Sequence, residues 1–290
     1  MNEEAAMYEL GANRYGKSRI RLVTVRRGED RHDLRDLTVD VALEGDFTAA
    51  HTDGDNTNVI ATDTMKNTVY AFARDRLTGP VEAFGLEIAR HFAAFTQVDR
   101  ATVTLREHLW SRIPLTDGPA PDAFTRSGEL TRIAVVAATK TGATVEAGIE
   151  DLTVMKTTKS AFTGFDRDEY TTLPETADRL MATRVTAAWG YGETAVEPGF
   201  DFDGAFERAG ATLLRVFGEH FSPAVQTSIW IIATAMLDAE PSIDWVRMVL
   251  PNLHHWAVNL EPFGLDNPGI VFVSTTEPHG LIDATVRRSG

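Results

Sequence analysis

Leu37, Val39, Val41 and Leu43 alternate with polar neighbours, and Ile20, Leu22 and Thr24 do the same. That period of two is the mark of strands buried on one face, and together the segments predict an antiparallel hairpin. The period changes in the stretch from Asp55 to Asn67, DNTNVIATDTMKN. A short apolar run at Val59, Ile60 and Ala61 gives way to Thr62-Asp63-Thr64, after which Met65, Val69 and Phe72 recur at helical spacing. A helix to about Arg74 is predicted, broken by Leu77-Thr78-Gly79-Pro80. Pro80 suits the first position of a second helix, whose apolar stripe is Val81, Phe84, Ile88, Phe92 and Phe95. Two more alternating segments follow, Ala101–Arg112 and Thr125–Ala138, parted by a Pro/Gly/Asp loop over 114–122.

The second half repeats this grammar at low identity. Strands are predicted over 143–155 and 184–191, then a helix from Phe202 to Glu219 with Phe206, Ala209, Leu213 and Phe217 on one face. Ser222 is placed to cap a further helix with Pro223 at its first position and Val225, Ile229, Ala233 and Met236 inward. Strands at Ile243–Leu250, His254–Asn259 and near Ile270–Ser274 complete the chain. Hairpin, two helices, hairpin, twice over, predicts an α+β fold of two tandem units, each an antiparallel sheet with two helices on one face. The expected division is a loose arm over 1–16, a first domain over 17–140 and a second over 141–290. Each sheet would keep one bare face and open edges, which favours a homo-oligomer.

Composition narrows the function classes. The 290 residues suit about two domains, and 43% hydrophobic with 24% charged residues describes a folded globular chain. A net charge of −14 argues against nucleic acid or an anionic membrane as partner. It leaves room for a small anion, which responds to a local Arg or Lys. With no cysteine there is no disulfide, thiolate metal site or Cys nucleophile. The first residues lack the apolar core of a secretory signal, no apolar run reaches the ~18 residues of a membrane span, and the terminal RRSG is not a peroxisomal address. A cytoplasmic location is expected.

Several stretches could carry chemistry, and each has a plainer reading. Thr62-Asp63-Thr64 are residue types that cap helices. Tyr15-Gly16-Lys17 reads as a turn with a solvated Lys, and Arg179 as the ion-pair partner of Asp178 or Glu175. Val225-Gln226 would be one core contact and one surface amide. The run Leu250-Pro251-Asn252-Leu253-His254-His255-Trp256 reads as a turn between two strands. His254 and His255 would point to opposite faces of a strand and cannot share one ion. His32, His51, His91, His108, His220 and His279 show no ligand spacing, and there is no phosphate loop or nucleophile elbow.

Taken together, YGK, ATDT-x-KN, SAFTGF-x-RDEYTTL-x-ET-x-DR, SPAVQ and LPN-x-H, in that order from Tyr15 to about Arg287, resemble urate oxidase. The resemblance implies two tandem tunnelling-fold domains and a homotetramer with active sites at subunit interfaces. It also implies the reaction of urate with O2 and water to 5-hydroxyisourate and hydrogen peroxide, with no metal and no organic cofactor. By the same resemblance, Lys17, Thr62 and His254 form the catalytic relay. Phe162 stacks on the purine, Arg179 and Gln226 grip its edges, and Val225 and Asp63 contact it through backbone. Thr62 and Asn252 hold O2 or water above the ring. The chemistry agrees with these residue types. A guanidinium fork can donate two parallel bonds to a flat anion, and a Thr hydroxyl needs a neutral amine to take its proton.

Overall fold

The computed structural model describes residues 8–289. The chain forms two compact units. One holds the stretch up to Gly128 with Arg132–Ala147 and Glu193–Phe202; the other holds Glu129–Thr131, Gly148–Gly192 and the chain from Asp203 on. Both are built of antiparallel strands and helices, an α+β architecture. Among the described residues no helix is long and apolar enough to cross a membrane.

In the first unit, β1 (Tyr15–Arg27) and β2 (His32–Gly45) form the expected hairpin. A short α1 (Thr48–Thr52), then α2 (Thr62–Arg76) and α3 (Val81–Ala93), lead to β3 (Val98–Leu115) and β4 (Gly118–Ala138). The strands lie in the order β1-β2-β3-β4. Register puts Val39 opposite both Ile20 and Leu105, and Val41 opposite Val103. Leu37, Val39, Val41 and Leu43 are at most 1% exposed, so the alternation in the sequence has chosen one inner face. Helix α3 lies directly on that face: a Cβ added to Gly85 would stand 2.7 Å from Leu105 Cδ1 and 2.9 Å from Val136 Cγ2. The intervening residues of β2 and β3 make a polar lattice on the other face. Arg21 bonds Asp36 and Thr38, Trp110 Nε1 donates to Asp36, Arg106 pairs with Asp40, and His108 Nε2 meets Thr38. Opposed polar pairs of this kind each stabilise a sheet by a few tenths of a kcal/mol to about 1 kcal/mol.

The second unit takes β5 (Ala143–Lys156) from Gly148 on, β6 (Met181–Tyr191), α4 (Phe202–Glu219) from Asp203 on, α5 (Val225–Ala239), β7 (Ile243–Ala257), β8 (Phe272–Thr275) and β9 (Leu281–Arg287). The order is β5-β6-β7, and β7 then takes two neighbours in turn: β9 along Trp245–Pro251 and β8 along His254–Ala257. Trp189, Leu213, Ile229, Met236, Val246 and Met248 form its buried core.

Several expectations are corrected. Residues 1–7 of the expected arm lie outside the described residues; 8–14 carry no helix or strand, and Tyr15 and Gly16 already belong to β1. The loop expected over 114–122 shrinks to a turn at Thr116-Asp117, with strand on both sides. Pro80 stands at the N-cap of α3 instead of inside it, and Phe95, beyond the helix end, is 36% exposed. Ser222 caps nothing: α5 opens at Val225 with Ala224 as N-cap and no side-chain cap bond. The expected turn around Pro251 is absent, because β7 runs unbroken from Ile243 to Ala257. Pro251 is accommodated opposite Leu281, with its carbonyl accepting the Thr183 hydroxyl at 2.8 Å.

Candidate functional site

Phe162, Arg179 and the start of α5 are laced together by backbone hydrogen bonds. Ser160 and Ser222 form a parallel bridge, in which the Ala161 N–H donates to the Ser222 carbonyl and the Ser222 N–H to the Lys159 carbonyl, each at 2.8 Å. Phe162 and Thr176 exchange both backbone bonds, at 2.8 and 3.1 Å, and the Arg179 N–H donates to the Ser160 carbonyl at 2.8 Å. A segment without regular secondary structure therefore holds an aromatic ring and a guanidinium in fixed relation to a helix N-terminus.

The Arg179 Cζ lies 5.3 Å from the Phe162 ring centroid, and Phe162 stacks on Phe165 at 4.8 Å with 12° between planes. Neither carboxylate proposed as an ion-pair partner is spent on Arg179. Asp178 accepts the Thr158 hydroxyl at 2.9 and 3.0 Å, and Glu175 accepts the Gly164 N–H at 3.1 Å. Among the described residues the buried Arg179 Nε has no hydrogen-bond partner, and burial holds the guanidinium below its ordinary pKa. A buried donor left unmatched costs about 1–3 kcal/mol, which an acceptor from outside the protein would recover. Beside it, the N–H groups of Val225 and Gln226 open α5 with no intrahelical acceptor, at the positive end of the helix dipole. Val225 is buried, whereas the Gln226 amide is exposed.

Asn252, His254 and Trp256 share one face of β7 by its period of two. The His254 ring stacks on Trp256 at 5.4 Å. Burial first, then the charges of Arg179, His279 and His255, hold His254 below the ordinary imidazole value, so it is neutral at pH 7. His255 faces the other way, its Nδ1 2.9 Å from the Leu253 carbonyl.

Lys17, Thr62 and Asp63 lie in the first unit. The β1–β2 register slips between Lys17 and Ile20, where Arg19 adopts φ 58° and its N–H reaches Asp40 at 2.6 Å. Such a bulge re-aims the side chains next to it. Gly16 is required there, because a Cβ would fall 1.9 Å from the Val41 carbonyl oxygen. The Tyr15 hydroxyl accepts the Ile60 N–H at 2.8 Å and donates to the Ile60 carbonyl at 3.1 Å, while its ring sits edge-on to Phe47. This clasp joins β1 two residues before Lys17 to the chain two residues before Thr62.

Thr62 is the first residue of α2; Ala61 is the N-cap, and no side chain caps the helix. The capping reading of Thr62 is thereby excluded. Asp63 is held below the ordinary carboxylate range by its bond from Lys66 first, with the charge of Lys17 a lesser cause. Its carboxylate also accepts from Asn67 at 2.9 Å, which leaves the backbone N–H as its open group. Among the described residues no hydrogen bond engages the Lys17 amine or the Thr62 hydroxyl.

Six of the nine candidate residues thus fall in the second unit and three in the first. Sequence reasoning gave no role to the Tyr15 hydroxyl, to Phe165 or Trp256 as stacking partners, or to the buried hydroxyls of Ser160 and Ser228, and gave Ser222 a capping role alone. Tyr15 and Phe165 stand inside the motifs YGK and SAFTGF. Among the described residues no three His, Asp or Glu side chains group as a metal site would need.

A family model described as Uricase matches residues 13–137 and 145–283. The chain is 45% identical over 282 residues to the uricase of Arthrobacter globiformis, covering 97% of this chain and 90% of that protein. It is 37% identical to the uricase of Dictyostelium discoideum, covering 96% of each. The crystal structure of the Arthrobacter globiformis uricase superposes with a TM-score of 0.92 at 44% identity, over 98% of this chain and 96% of that one.

Proposed function

The chain belongs to the uricase family, an oxidoreductase family, and from that premise we propose that it oxidises urate with O2 and water to 5-hydroxyisourate and hydrogen peroxide. The observation that carries this reading is the half-buried Arg179 guanidinium, whose buried Nε has no acceptor among the described residues, beside the Phe162 ring and the open N-terminus of α5.

In this reading the flat urate anion stacks on Phe162. Arg179 donates two parallel bonds to one purine edge, the Val225 N–H adds a third donor, and Gln226 meets the opposite edge with one donor and one acceptor. Neutral Lys17 takes the proton of Thr62 as Thr62 takes one from urate, and His254 extends the relay. Asn252 and Thr62 hold O2, then water, over the ring, and the Asp63 N–H lies beside the purine. The doubly deprotonated purine gives two electrons to O2, which leaves with two protons as hydrogen peroxide. Water then adds at C5. Urate is its own reductant, so the scheme uses no metal or organic cofactor.

The dyad of one protomer would face the clamp of a partner in a homotetramer of paired tunnelling-fold domains divided near residue 140, working in the cytoplasm. Chelator-treated protein should bleach the ultraviolet absorbance of urate with matched O2 uptake. Tight urate binding without O2 uptake would instead describe a purine-binding protein.

A further inference from the structure

The start of α5 is held by a second set of bonds, between side chains that the scheme above does not use. His220, one residue past α4, places Nδ1 2.6 Å from the Val216 carbonyl and Nε2 2.8 Å from the Ser228 hydroxyl. The Ser228 and Ser222 hydroxyls are 2.7 Å apart, and neither residue has any exposed surface. A carbonyl can only accept, so Nδ1 carries the proton of the neutral ring and Nε2 accepts from Ser228. The two hydroxyls also have the Ala224 carbonyl within reach, Ser222 at 3.2 Å and Ser228 at 3.3 Å. Contacts of 2.6–2.8 Å thus link Ser222, Ser228, His220 and Val216 in one chain. From β5, the Lys156 Nζ donates to the His220 carbonyl at 2.6 Å and lies 5.1 Å from the Phe217 ring.

The location gives this chain its meaning. Through its backbone Ser222 holds the strip that ends in Phe162, and through its hydroxyl it holds Ser228, one turn into α5. Rotating α5 would part Ser228 from both His220 Nε2 and the Ser222 hydroxyl and leave it the longer bond to the Ala224 carbonyl at 3.3 Å. We propose that His220, Ser222 and Ser228 are positioning residues of the purine clamp, which fix the Val225 and Gln226 end of α5 against the Phe162 ring and Arg179. This rests on the urate reading of the same clamp.

The test uses Ser228→Ala and His220→Gln in the whole oligomer. It measures urate KM and kcat, calorimetric affinity for xanthine as a flat purine that is not oxidised, and the thermal midpoint. Both variants should raise urate KM and xanthine Kd by about tenfold with kcat within about twofold, as a small misplacement of binding groups would. Ser228→Thr, which keeps the hydroxyl, should restore both constants. Unchanged KM and xanthine affinity in folded variants would overturn the proposal, as would a fall in kcat alone. His220 is partly exposed, so His220→Gln carries the test if Ser228→Ala does not fold. If the unaltered protein binds xanthine but leaves urate intact, the oxidase reading fails while xanthine still reports on the positioning chain.

Discussion

The proposed clamp and the proposed dyad are secured in opposite ways. Phe162, Arg179 and the first turn of α5 are interlocked by short backbone bonds, and a serine–histidine chain lies behind them. Lys17 and Thr62 each stand at an irregularity, a bulge and an uncapped helix start, and next to them the Tyr15 clasp ties their segments together. Groups that recognise a rigid planar anion benefit from being immobile. Groups that pass protons need unspent lone pairs and hydrogens, which a fully bonded side chain lacks.

The sharpest way to break this contrast is Lys17→Met. Turnover should fall by about 10²–10⁴, the usual contribution of a positioned acid or base, while xanthine affinity stays within a few-fold. An equal loss in both would make Lys17 part of the clamp. Arg179→Met comes next. Loss of charge-assisted bonds of about 1.5–3 kcal/mol each should cut kcat/KM on the order of a hundredfold or more. Because a buried unmatched donor disappears with it, the thermal midpoint of the unliganded protein should not fall. A large drop would mean that the guanidinium serves the fold.

Tyr15→Phe keeps the ring against Phe47 and deletes both bonds to Ile60. It should lower kcat by about tenfold with KM unchanged, at a stability cost of about 1 kcal/mol. A rise in KM alone would show that the clasp serves binding. The smallest effect concerns pH. His254 is neutral above its depressed pKa, so kcat should be flat through neutrality and decline on acidification below the ordinary imidazole value. The Arg179 charge is one cause of that depression, so in Arg179→Met the acid limb should move to higher pH.

What the sequence disclosed follows the range of the forces involved. The alternation from Leu37 to Leu43 and the face of α4 through Ala209, Leu213 and Phe217 record burial residue by residue, and both elements are found where expected. Ser222 misled because its proper partners, Lys159, Ala161 and Ser228, are set by tertiary contact, against which a local capping preference is weak. Pro251-Asn252 read as punctuation, yet neighbours on both sides carry β7 through it. Ile282, Ala284 and Val286 alternate along β9, so that strand has a local signal of its own. Of the candidate site, the residues were nominated through motifs. The unmatched Nε of Arg179, the freedom of Thr62 from capping and the Tyr15 clasp depend on distances that no spacing along the chain encodes.

β7 is flanked by β9 as far as Pro251 and by β8 from His254, with the exchange falling at Asn252-Leu253. Its root is packed among Ile243, Val246, Met248 and Leu250, all at most 2% exposed, whereas its outer end leans on a strand of four residues. The strand is in effect a cantilever. Asn252 is still seated between Thr183 of β6 and the Gly280 carbonyl, whereas His254 and Trp256 project past that support with β8 alongside them.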